Sequence, residues 1–396
     1  EQQWLVYLQK SLKSNSFFYE GLIMGLYLDY NASAPMLNSS IDAMVESMKL
    51  IGNPSSIHSS GRRAKNAIED SRELVAEAID ITPQNIIFTS GASESNSLAF
   101  KYAEKMKIIT SSIEHESVLE HKKIDSIIIP VNHNGIVDLD YLKKSLHKNM
   151  ESSLFVSIMA VNNETGVIQP IEEIAALCLK YNAFFHVDAV QAIGRIEISM
   201  TKLNIDLLTV SSHKIGGPKG VGCLAVSEKV YNSLSPIIIG GGQERGVRAG
   251  TEAVSQIVGF GVAAKYSKKF NLLKTKTSRD LLESNLLKLI PDIMIIGKNV
   301  PRVANTTAIA FKNILAENIV IALDIEGYEV SSGSACSSGK ISESHVLLAM
   351  GLDKSLVKGS IRISLCRSLE KSEILSFCNT LYKIIQKLSK KDKVIL

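Results

Sequence analysis

Short apolar, β-rich runs alternate with segments of helical periodicity through the first two-thirds of the chain. "IIFTS" (Ile86–Ser90) precedes "GASESNSLAFKYAEKM", which reads as a helix, and "LFVSIMAV" (Leu154–Val161) precedes a Gly/Pro turn and the helical "IEEIAALCLKY". "AFFHVDAV", "IDLLTVSS" and "GVGCLAVS" follow. Strands alternating with helices imply an α/β domain with a mainly parallel sheet. Open sheets of this kind place their chemistry at strand ends. After about residue 265 the texture changes to a long helical stretch, "LLKTKTSRDLLESNLLKLI", then two short strand runs, "NTTAIAFK" and "GSIRISL". The amphipathic helix "SEILSFCNTLYKIIQKL" closes the pattern. The expectation is a large domain over residues 26–265 and a smaller α+β domain over 266–396, with residues 26–40 able to pack against the smaller one. Residues 1–25 read as an N-terminal extension, the part before Met24 being an upstream extension or a start-site artefact.

Bulk properties narrow the function. At 396 residues the chain is too long for one compact core, in keeping with two domains. Its net charge of +4 is small, and the short basic tail "KLSKKDK" (Lys387–Lys393) reads as a solvated helix end, so no nucleic-acid partner is expected. The five cysteines (Cys178, Cys223, Cys336, Cys366, Cys378) form no CxxC pair, which argues against a disulfide framework or a zinc site; no metal is expected. A reducing cytoplasm fits that usage. No run of 18 apolar residues occurs, so no membrane span is expected.

Three stretches carry chemistry. "TVSSHKIGGPKGVG" (Thr209–Gly222) sets Lys214 just past a strand end and ahead of a Gly-Gly-Pro turn. A partly desolvated lysine there can form a Schiff base, although a lone turn lysine is more often simply exposed. Ser211 and His213 beside it can donate to a phosphate. "HVDAVQ" sets Asp188 at a strand end with Gln191 three residues on, where a carboxylate could hold a pyridinium nitrogen protonated. "FTSGASESNSL" is a strand, a turn and a helix start, whose N–H groups at Gly91, Ala92 and Ser93 make an anion cradle; Ser93 with Asn96 could equally be a plain helix cap. A fourth stretch, "VSSGSACSSGK" (Val330–Lys340), buries one thiol in glycine and serine rather than among apolar residues, where structural cysteines sit.

The motifs "NPSSIHSSGR", "FTSGASES", "EHESV", "VNNETG", "HVDAVQAIG", "SSHKIGGPKGVG", "GGGQERGVRAGT", "SSGSACSSG" and "GSIRIS" occur in this order. With them the chain resembles the cysteine desulfurases of the NifS/IscS type, within the class-V aminotransferase group of fold-type I pyridoxal-phosphate enzymes. The resemblance runs from "LYLDYNASAP" (Leu26–Pro35) to "IRISL" (Ile361–Leu365). It implies a large domain with a mainly parallel seven-stranded sheet and a smaller α+β C-terminal domain carrying the cysteine loop 330–340. It implies pyridoxal 5'-phosphate bound through Lys214, with Asp188 on the ring nitrogen and Gln191 on the ring hydroxyl. His115 would stack on the ring and act as acid–base. Ala92, Ser93, Ser211 and His213 would hold the phosphate, Ser93 standing where the family usually has threonine. Thr251 would reach the phosphate of a neighbouring subunit, which implies a homodimer. Asn163 and Arg362 would grip the carboxylate of L-cysteine, and Cys336 would take its sulfur as a persulfide, leaving L-alanine. The sulfur acceptor would be a carrier protein, such as an iron–sulfur scaffold or a tRNA-thiolation carrier.

Plainer readings stand beside these. His115 could be a surface histidine, Arg362 could face solvent on an edge strand, and Asp188 could cap a strand end. His58 is read as a loop residue with no role. Cys178, Cys223 and Cys378 read as core packing, and Cys366, where the family commonly has glycine, as packing near Arg362. Two other classes compete: a different pyridoxal-phosphate enzyme, such as a selenocysteine lyase or aminotransferase, and a non-catalytic sulfur-binding or scaffold protein that keeps the fold.

Overall fold

The computed structural model describes residues 25–333, 343–366 and 368–391. Cys336, most of loop 330–340 and the N-terminal extension before Met24 lie outside the described residues, as does the end of the basic tail. In chain order the strands are β1 (Leu26–Tyr27), β2 (Ile86–Thr89), β3 (Lys107–Ser111), β4 (Ile127–Ile129), β5 (Leu154–Met159), β6 (Phe184–Asp188), β7 (Leu207–Ser211), β8 (Gly222–Val226), β9 (Met294–Ile295), β10 (Thr306–Ala310), β11 (Tyr328–Glu329), β12 (Ser331–Ser332) and β13 (Ser360–Ser364).

Seven of them form one sheet in the order β2-β8-β7-β6-β5-β3-β4. β3 is parallel to β4 and β5, and β6 is parallel to β5 and β7; β8 alone runs against its neighbours. Every residue of β2, β5, β7 and β8 is buried, because helices cover both faces and neither side can be polar. The two-residue alternation of a strand divides these residues between two cores. Val156 and Ile158 of β5, with Cys223 and Ala225 of β8, join the helices Ser59–Ile79 and Val254–Ser267. Phe155, Leu224 and Val226 join the helix Ala92–Tyr102 through Leu98, Ala99 and Phe100. His58 is not idle: its side chain caps the helix Ser59–Ile79 by accepting from the Gly61 amide.

A second, antiparallel sheet has the order β12-β13-β10-β9. Ile309, Ile361 and Ile363 pack with Leu282, Phe377 and Leu381 from the helices Leu272–Leu289 and Lys371–Lys391. Arg362 points the other way from Ile361 and Ile363 and is 1% exposed. β13 lies between β12 and β10, so the solvent-facing, edge-strand reading of Arg362 is wrong; the long polar side chain is buried because it meets partners on the other sheet's side.

The segment after β1 links the two sheets. β1 pairs with β11, Tyr30 donates its amide to Ser364, and Ala34 donates to the carbonyl of His213 beyond β7. That crossing brings Asp29 to Ala32 over the strand ends of the large sheet. Among the described residues no helix is long and apolar enough to cross a membrane.

Candidate active site

The carboxyl ends of β5, β6 and β7 and the strand β13 converge on this segment. Lys214 lies in the 3-10 turn Ser212–Lys214 directly after β7. Its Nζ donates to the carbonyls of Asn31 and Ala32, both at 2.7 Å. Gln191 also points there, donating its Nε2 to the Asn31 carbonyl at 3.0 Å. Two sequence-predicted residues thus meet on one backbone oxygen contributed from 160 residues upstream of Gln191 and 183 upstream of Lys214.

Asp188 ends β6 and is 6% exposed. Its Oδ1 accepts the Val190 amide and its Oδ2 accepts Asn96 Nδ2, each at 3.0 Å. The strand-end turn is therefore real, but it uses one oxygen only. Asn96 is not a partner in a helix cap with Ser93: the cap position is Gly91, and the Asn96 side chain reaches Asp188 and Ser117 instead. His115 caps the short helix Glu116–Leu119, its Nδ1 accepting the Ser117 amide.

Ala92 and Ser93 form the first turn of the 11-residue helix Ala92–Tyr102. Gly91 before them has a φ of 154°, and a Cβ built on it would meet nothing within 4 Å, so the space beside the helix start is open. Gly222 explains how β8 comes so close: a Cβ there would lie 2.9 Å from the Gly91 Cα. Ser211 ends β7, and His213 Nδ1 lies 3.3 Å from Ser33 Oγ. Burial, with the charge of Lys214 beside it, pushes the His213 imidazole down to about 4, so it is neutral at physiological pH. Thr251 sits exposed after Gly250, outside this cluster's hydrogen bonds; its loop is tied to the cradle by Arg248, which pairs with Glu94 at 2.9 Å.

Arg362 donates to the Asn163 carbonyl at 3.0 Å and to Asp29 Oδ1 at 2.7 Å, while its buried Nε has no partner among the described residues. Both roots of the cysteine segment adjoin this pair. β12 registers Ser331 against Arg362, and Gly333 donates to the Ser360 carbonyl at 2.9 Å. On the return side Ser344 Oγ donates to Glu164 Oε2 at 2.5 Å, one residue past Asn163. Cys178, Cys223 and Cys378 are buried as expected, whereas Cys366 is exposed at the end of β13 rather than packed beside Arg362; the strand's inward alternation ends at Leu365.

Four residues escaped sequence reasoning: Asp29, Asn31, Asn96 and Glu114. Asp29 and Asn31 lie within "LYLDYNASAP" and Glu114 precedes His115, but nothing in their spacing marks them, since each acts on a residue at least 45 positions away.

The class-V aminotransferase family matches residues 26–377 of the chain. A cysteine desulfurase IscS of Dictyoglomus turgidum is 40% identical over 379 residues, covering 92% of this chain and 95% of that protein. The chain belongs to the cysteine desulfurase family. The crystal structure of a NifS-like protein from Rickettsia africae superposes with a TM-score of 0.84 at 39% identity, covering 91% of this chain and 99% of that one. A further relative, SspA, solved in complex with cysteine, superposes at 0.75 with 31% identity over 87% of this chain and 99% of its own.

Enzymes of this family use pyridoxal 5'-phosphate, and the residues present fit it. A buried carboxylate is normally paired with a cation, yet among the described residues Asp188 receives only neutral donors. A positively charged ring nitrogen is the partner such a carboxylate lacks. The open helix start at Gly91 suits the phosphate, and Lys214 follows directly on the end of β7.

Proposed function

We propose that the protein is a cysteine desulfurase that converts L-cysteine to L-alanine and leaves a persulfide on Cys336, acting as a homodimer in the cytoplasm and passing the sulfur to a carrier protein. The observation that supports this most is the convergence of Lys214 and Gln191 on the Asn31 carbonyl, with Arg362 joined to the same segment through Asp29. The bound pyridoxal phosphate would supply an electron sink next to the substrate's α-carbon.

This chain's residues divide the remaining work. Lys214 would hold the cofactor and move the α-proton. Asp188 would accept from the ring nitrogen. Ala92, Ser93, Ser211 and His213 would hold the phosphate from one subunit and Thr251 from the other. Arg362 and Asn163 orient the substrate carboxylate, for which a planar guanidinium is suited; Asp29 sets the Arg362 fork in place. A Cys336 thiolate then attacks the substrate sulfur. The S–S bond forms as the C–S bond breaks, the electron pair stays on carbon, and carbon takes up a proton. The relative solved with cysteine supports that substrate.

Mass spectrometry of the full chain after incubation with L-cysteine tests the reading. The expected result is the gain of one sulfur atom at Cys336 with equimolar alanine, both lost in Cys336→Ala while the visible chromophore persists. Alanine formation continuing in Cys336→Ala would refute the persulfide route and favour a lyase.

A further inference from the structure

Asn96 lies between the two residues proposed to flank the cofactor ring and is fully buried. Its Nδ2 donates to Asp188 Oδ2 at 3.0 Å and to Ser117 Oγ at 2.9 Å. The Ser117 hydroxyl is 2.9 Å from His115 Nδ1, and the Ser117 amide donates to that same nitrogen at 3.1 Å.

The direction of each bond follows from what its groups can do. Turning the amide round would set Asn96 Oδ1 against a carboxylate oxygen, so the nitrogen faces Asp188. An amide nitrogen only donates, and Ser117 Oγ therefore accepts from it and has one proton left to give. His115 Nδ1 accepts a backbone N–H, so it carries no proton, and its single lone pair is shared with the hydroxyl's proton in a three-centre bond. The imidazole proton is then on Nε2.

We propose that Asn96 and Ser117 are positioning residues that join Asp188 and His115 in one hydrogen-bonded unit, fixing the Asp188 carboxylate and holding the His115 proton on Nε2. His115 thus meets a substrate sulfur as an N–H donor that orients it, and Nδ1 takes no part in proton transfer. This rests on the desulfurase reading for its consequences but not for its test.

The test uses the full chain, with cofactor removed and then titrated back. In nitrogen-15 spectra of the histidines, with His115→Gln giving the assignment, cofactor-free protein should show His115 protonated on Nε2. Ser117→Ala should leave the proton on Nε2, held there by the backbone amide, but should move the Nδ1 resonance because the hydroxyl's hydrogen bond is lost, and Ser117→Thr should restore it. A His115 signal identical in wild type and Ser117→Ala, or protonated on Nδ1 in wild type, overturns the proposal. In the titration Asn96→Ala should raise the cofactor dissociation constant about tenfold or more, since it removes a hydrogen bond to a charged group. The same change in an Asp188→Asn background should have less than a threefold effect, whereas equal effects in both backgrounds would mean that Asn96 is merely structural. If wild type bound no cofactor, the functional reading would fail while the histidine spectra still decided the network.

Discussion

Glu114 is wholly buried beside the proposed site. Its Oε1 accepts Ser111 Oγ and the Met159 amide, and its Oε2 has no partner among the described residues. Burial, reinforced by the charge of Asp188, pushes its carboxyl from 4.5 up to about 8. The folded chain therefore keeps a proton through the range in which the unfolded chain has lost it. The native state binds more protons there, so stability falls as pH rises from about 5 to about 8. At ~1.36 kcal/mol for each tenfold change in proton affinity, the ceiling of this loss is roughly 5 kcal/mol. Glu114→Gln mimics the protonated form at every pH and removes that slope. With an unfolding entropy of ~2.1 cal/mol/K per residue over roughly 360 described residues, 1 kcal/mol moves the melting temperature by about 1.3 °C. Melting curves of the cofactor-free protein from pH 5 to 9 should show the variant gaining up to about 6 °C over wild type, the gap opening between pH 5 and 8. A gap that stays constant across that range would refute a buried, protonated Glu114.

Two further outcomes follow from the geometry. Arg362→Lys loses the planar fork that reaches Asp29 and Asn163 together, so KM for cysteine should rise roughly tenfold to a hundredfold, with the cofactor's visible absorbance unchanged in a spectrophotometric titration. Arg72 and Glu244 form a buried bidentate pair at 2.8 Å, and Glu244 also accepts the Phe88 amide. Arg72→Met should therefore strand a buried charge and lower stability by about 3–5 kcal/mol, which a urea titration would read; Arg72→Met with Glu244→Leu should cost less than Arg72→Met alone.

Much of the site could be read from the chain because its groups lie at strand ends, where short local motifs place them. "HVDAVQ" put Asp188 and Gln191 together, "SSHKIGG" put Lys214 after β7, and "SGAS" put the cradle at a helix start. Each needs only a strand, a turn and the next few residues. The same locality misled at Ser93 and Asn96, where a cap-like spacing concealed a side chain that turns inward to Asp188. Arg362 shows the other limit. Between two isoleucines it could have faced water, and only the position of β13 inside its sheet, with Asp29 and Asn163 opposite, buries it.

The amino-acid sequence alone determined the alternating α/β pattern, since periodicity and turn chemistry act over a few neighbours, and its ordered motifs carried the resemblance that implied the cofactor. Tertiary structure decided what those residues touch. It delivered the Asn31 carbonyl to Lys214 and Gln191, set Asp29 on Arg362, linked Asp188 to His115 through Asn96 and Ser117, and withdrew Glu114 from water. These contacts join positions far apart in the chain, and burial, which fixes their charges and hydrogen bonds, exists only once the two sheets have packed.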